Sequence, residues 1–137
     1  MTEKKIFIFM MFFMMEIIKA QTFLLDTEQT ESIIELGTFV ALSGTIQNIS
    51  DDSLQLVVIR TELSLPQDWN TQLCFGGICF PPDFDSLATT SPDAPFYQGP
   101  IPPDSSIYFA VWFTAFSEYE GTATATIKLY DLNNPDY

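Results

Sequence analysis

The chain has 137 residues, a formal net charge of −13 and no histidine. That length suits one domain of common size, and 13 phenylalanines supply enough apolar bulk to pack a core. The missing histidine excludes histidine-dependent catalysis, blue-copper ligation and the usual catalytic zinc sites. The acidity argues against nucleic acid, whose phosphates must be met by cations.

The chain opens MTEKKIFIFMMFFMMEIIKAQ. Lys4 and Lys5 form a short basic region, residues 6–15 run without a charge or polar group, and Ala20 sets a small residue at a cleavage position. This is the three-part layout of a secretory signal peptide. The apolar run is too short to span a bilayer, which takes about 20 such residues. Glu16 directly after the run and the large Ile18 fit the layout less well, and the alternatives are an uncleaved anchor or a buried helix. The reading is a signal peptide over 1–20 and an exported domain over 21–137, with no membrane insertion after cleavage. Without Glu3 and Glu16, 16 acids face Arg60 and Lys128, a side-chain charge of −14 (2 − 16). Such a body resists aggregation and repels anionic membranes. It also invites a divalent cation or a basic partner, against the plainer reading of a solvated acidic surface.

From residue 22 onward the apolar pattern has period two. Residues 22–26 and 32–36 supply a first strand, split in two. Residues 39–48, FVALSGTIQN, put Val40, Leu42, Gly44 and Ile46 on one face and Ala41, Ser43, Thr45 and Gln47 on the other. NISDDS, 48–53, is a turn cluster, and its Asn48-Ile49-Ser50 matches an N-glycosylation sequon, which in a bacterial source is only a turn. Residues 54–65 are apolar almost throughout, which predicts a central strand covered on both sides for part of its length.

Residues 81–103 hold seven of the nine prolines. Proline cannot donate to a ladder, so this stretch reads as edge strand and loop, with short strands at 84–87 and 94–98. Residues 107–116, IYFAVWFTAF, set Ile107, Phe109, Val111 and Phe113 on one side. Residues 121–131, GTATATIKLYD, place Ala123, Ala125, Ile127 and Leu129 inward and Thr122, Thr124, Thr126 and Lys128 outward. A short turn joins these last two strands, which predicts an antiparallel hairpin. About seven short strands and no helical period predict an all-β fold, an immunoglobulin-like antiparallel β-sandwich, with a barrel as the alternative.

Cys74 and Cys79 are the two cysteines of the chain. In an exported protein a disulfide is the default. Gly76 and Gly77 between them permit the left-handed backbone of a tight reversal, which would bring the cysteine Cα atoms to roughly 5.5 Å. The loop is small, so its closure contributes only about 2 kcal/mol. The alternatives are a reactive pair, although a thioredoxin-like site spaces its cysteines by two residues before a helix, and a metal site, which lacks a second ligand pair. Trp69 is expected to pack under this loop.

The order of these features resembles a family of immunoglobulin-like domains in exported proteins of the Bacteroidetes and related bacteria. The matching positions are Leu65, Pro66 and Trp69 of a Leu-Pro-x-x-Trp segment, the pair Cys74 and Cys79, and Gly121, Thr122, Asn134 and Pro135 of a closing Gly-Thr-rich strand. The resemblance covers 39–135. It implies a non-catalytic accessory module, of a kind that often precedes a sorting domain for type IX secretion. A stand-alone module, or a chain that stops short of such a domain, is the expectation here.

The function expected is thus a secreted or cell-surface module, extracellular or periplasmic, for binding or structural assembly. Its partner would be a protein or a glycan, and no cofactor is implied. The candidate contact residues are Phe75, Gly76, Gly77, Ile78 and Phe80 around the cysteine loop, and Phe96 and Tyr97 in the proline-rich loop. Folding of these aromatics into the core is the competing reading for each. An enzyme is disfavoured: Asp83/Asp85 and Glu118/Glu120 are adjacent turn acids, whereas a glycosidase needs two carboxylates flanking a cleft, and no serine has a base beside it. A calcium-stabilised adhesion or carbohydrate-binding accessory module is the alternative, with Asp51/Asp52 or Asp83/Asp85 as oxygen donors. A further structural role is assembly by strand exchange, with residues 21–36 as the donor.

Overall fold

In the computed structural model residues 21–89 and 99–135 are described. The expected leader at 1–20 lies outside the described residues, as do the strand candidate at 94–98 and its Phe96 and Tyr97. The elements are all strands: β1 (Phe23–Thr27), β2 (Phe39–Asn48), β3 (Leu56–Ser64), β4 (Asn70–Phe75), β5 (Ile78–Cys79), β6 (Ser86–Ala88), β7 (Ser106–Thr114) and β8 (Thr124–Asp131). They form two antiparallel sheets, ordered β1-β2-β7-β4-β5 and β6-β3-β8.

The sheets stack as a sandwich because each carries one apolar face. The period-two alternation of β7 sends Phe109, Val111 and Phe113 into the core, opposite Leu56, Val58 and Leu87 of the smaller sheet. Register does the rest. Thr71, Leu73 and Phe75 lie directly across from Phe113, Val111 and Phe109, so the inward sets of β4 and β7 share one face. Leu54 and Ile101, both buried, exchange backbone hydrogen bonds of 2.8 and 3.0 Å and close one end of the core. The expectation for β3 holds over its first half: Leu56, Val57 and Val58 are buried on both faces, and the strand is exposed from Thr61 onward. A bulge at Thr61 marks the change, since Arg60 pairs with Ile127 and Glu62 with Thr126.

Two expectations fail. The last two long strands do not form a hairpin: β7 pairs with β2 and β4, and β8 pairs with β3 in the other sheet. Both strands carry apolar inward faces that are satisfied across the core, and residues 115–123 are long enough to bridge the roughly 10 Å between sheets. The segment at 32–36 forms no strand, and Ile33 in it is fully exposed. Gly44 shows where the chain departs. A Cβ on Gly44 would sit 2.5 Å from the Asp26 carbonyl oxygen and 2.9 Å from Thr27 Cγ2. The end of β1 therefore presses on the inward side of β2, and the chain leaves the ladder there.

Candidate functional site

The cysteine hairpin forms as the residue spacing implies. Cys74 and Cys79 are direct cross-strand partners and are joined by a disulfide, with their Cα atoms 3.9 Å apart. That is closer than the expected 5.5 Å. Gly76 and Gly77 make the reversal at φ of 61° and 84°, values that side-chain-bearing residues avoid. The reversal is pinned further: Gly76 N–H donates to the Tyr108 carbonyl, and Phe80 N–H donates to the Leu73 carbonyl at 2.8 Å.

The candidate contact residues of this hairpin separate into two groups. Phe75 and Phe80 are buried in the core, each 4% exposed, so both aromatics follow the competing reading. Gly76, Gly77, Ile78 and Cys79 are exposed at the tip. The apolar tip is thus reduced to Ile78. Trp69 does not lie under the hairpin. It precedes β4, whose far end carries Cys74, and its indole Nε1–H donates to the Tyr119 carbonyl at 2.8 Å. Pro66 packs against Gly121, where an added Cβ would come within 2.8 Å of the proline ring, and Ser117 Oγ–H donates to the Gln67 carbonyl. The Leu65–Pro66–Trp69 segment and the start of the Gly-Thr strand therefore meet at the end of the molecule opposite the disulfide.

Of the acids considered as calcium or catalytic donors, Asp85 is held in a structural ion pair. Asp85 takes a hydrogen bond and an ion pair from Arg60, whose side chain is buried and also donates to the Pro82 carbonyl. The backbone carbonyl of Asp52 accepts from the Asn48 amide at 2.8 Å and from Ser50 Oγ–H at 3.0 Å. Asn48 itself is fully buried: its amide also donates to the Ile101 carbonyl, and its oxygen accepts from the Ser50 backbone N–H and hydroxyl. As the sequon residue, it has no free amide to present to solvent. Among the described residues no cluster of three or more His, Cys, Asp or Glu side chains is placed to hold a metal.

The feature that sequence reasoning missed is on the other flank. A groove of about 750 Å³ opens between β2 of the large sheet and β8 of the small one. Val40, Leu42, Phe109, Val111 and Phe113 form one wall, and Ala123, Ala125 and Ile127 form the other. Residues 29–34 and Trp69 close its rim. The inward side chains of β8 are only half-buried, although they alternate as those of a core strand do. A signal was present in the sequence: two alanines hold inward positions of a long strand and cannot fill the space that larger side chains would.

No protein-family model matches the chain, and no curated protein matches it. A solved structure similar in fold is the N-terminal domain of PorA, with a TM-score of 0.52 over 74% of this chain and 69% of that one. Identity is 16%, so the likeness is one of fold alone.

Proposed function

We propose that the protein is an exported, non-catalytic, immunoglobulin-like module for binding or structural assembly, active outside the cytoplasm on a protein or glycan partner. The order β1-β2-β7-β4 corresponds to the A-B-E-D sheet of a constant-type immunoglobulin domain, and β3-β8 to its C-F pair, with β5 and β6 as additions. The observation that carries the reading is the Cys74–Cys79 disulfide in a short hairpin. Such a bridge persists in oxidising compartments, in keeping with the leader-like first 20 residues. The acidic body supports solubility at a surface and works against binding of nucleic acid.

The test is the intact mass of the protein recovered from the medium and the cell envelope. The expected species starts at Gln21 and shows the mass deficit of one disulfide. A species that retains residues 1–20, or one with both cysteines titrating as free thiols, would overturn the reading.

A further inference from the structure

The four sheet edges of the molecule are unequal. Three are short: β1 has five residues, β5 has two and β6 has three. Shortness is one of the ordinary ways a protein blunts an edge against unwanted pairing. The fourth edge, β8, is eight residues long, and its protection against pairing is the single outward lysine, Lys128. It has no proline and no bulge of its own. Its outward side chains are Thr124, Thr126, Lys128 and Tyr130, of which only Lys128 is a charged type. Among the described residues no strand pairs with its free side, and only its last residue, Asp131, is bridged there, by Asn134.

Directly beside that edge lies the apolar groove, and beyond the groove lie residues 28–34. No backbone hydrogen bond among the described residues joins that segment to any other. Ile33 in it lines the groove yet is fully exposed. A strand edge with no strand beside it and a segment without ladder partners thus flank one trough of core-type side chains. In the immunoglobulin order this is the position of the last strand, G, which pairs with F.

We propose that this flank is a strand-addition site for an extended, cationic peptide segment of a partner protein. The segment pairs its backbone with β8, seats alternate β-branched side chains between Leu42 and Ala125, and points its lysines or arginines outward. Backbone pairing supplies affinity and the trough supplies register. The sign of the partner follows from charge. Residues 21–137 carry 16 acids against Arg60 and Lys128. Arg60 is buried on Asp85, and Lys128 sits 5.3 Å over the Tyr130 ring. Glu31 stands on the rim itself. An acidic strand, or a second copy of this chain with its equally acidic body, would be repelled, and a basic strand steered in. Of the N-terminal segment, Phe23–Thr27 already pairs with β2.

The proposal rests on the assembly reading above and names its surface. Its test uses the purified, oxidised protein and a synthetic probe, Lys-Val-Thr-Val-Lys-Val-Thr-Val-Lys. The expected result is saturable binding with about tenfold or greater slowing of amide exchange at alternate residues of Thr124–Asp131, since pairing protects one side of the edge. An N-methylated probe, which cannot complete the ladder, should bind at least about tenfold more weakly. Equal binding of the two probes, or no protection of β8, would overturn the site. Equal binding of a probe with glutamate for lysine would overturn the cationic partner, as would self-association of the protein alone with β8 protected. Each result is independent of leader cleavage and thiol titre, so a failure here is separable from a failure of the export reading.

Discussion

The two flanks of the sandwich are built from the same alternation and end in different states. On the stapled flank, β4 reads exposed, buried, half-buried and then three buried residues in a row, and its Leu73 and Cys74 have no exposed surface. On the open flank, β8 and the residue before it alternate just as regularly, yet Ala123, Ala125, Ile127 and Leu129 are only half-buried. The difference lies in what stands opposite. Leu73 meets the aromatic and aliphatic side chains of β7 and Leu56 across the core. The inward residues of β8 look partly into the groove, where two alanines leave volume unfilled. Alternation specifies which side of a strand turns inward; it does not specify that the inside is full.

The sharpest way to break this comparison is a matched pair of truncations. Leu73→Ala on the stapled flank removes a fully buried side chain from a packed core and should cost about 2–5 kcal/mol in urea unfolding. Ile127→Ala on the open flank removes a side chain that already borders open space, and should cost less than half as much. Equal losses would mean that the groove is closed in solution.

Asn48, at the end of the core that Leu54 and Ile101 close, sharpens the comparison from between the two flanks. Its side chain ties β2 to the Asp52 and Ile101 carbonyls and accepts two bonds from Ser50. Asn48→Ala would leave two carbonyls short of a donor at a buried site, for an expected loss of about 2–3 kcal/mol. The same measurement on Ser50→Ala should show a smaller loss, since Asn48 keeps both of its donated bonds. Equal losses for the two variants would place the stabilisation in the turn rather than in the buried amide.

How far the sequence carried these features depends on whether the cause was local. β2 matched its expected bounds because its alternation, its polar outward face and the turn cluster that ends it are all local signals. The hairpin at Gly76-Gly77 was legible for the same reason. The partner of β8 was not, because pairing within one sheet and docking across two sheets both satisfy an apolar face, and only the global order decides. Trp69 was misplaced for a related reason: it lies close in sequence to Cys74, but a strand separates them by its full length. The buried fate of Phe75 and Phe80 was open until register put Phe75 opposite Phe109. The groove was the least legible feature, because it consists of volume left unfilled between residues far apart in the chain.

The smallest expected effect is also the most specific to the groove. Ala125 faces the trough from β8, across from Leu42. In a full core, Ala→Val forces neighbours off their rotamers and typically costs about 1–3 kcal/mol. In a groove that already has room, the two added methyl groups meet open volume, and a β-branched residue suits a strand better than alanine does. Ala125→Val should therefore change stability by less than about 0.5 kcal/mol, or raise it slightly. The same substitution narrows the seat of an added strand, so it should weaken binding of the lysine–valine probe while leaving unfolding unchanged. A loss of stability comparable to that of Leu73→Ala would show that β8 is packed as tightly as β4, and the contrast between the flanks would then disappear.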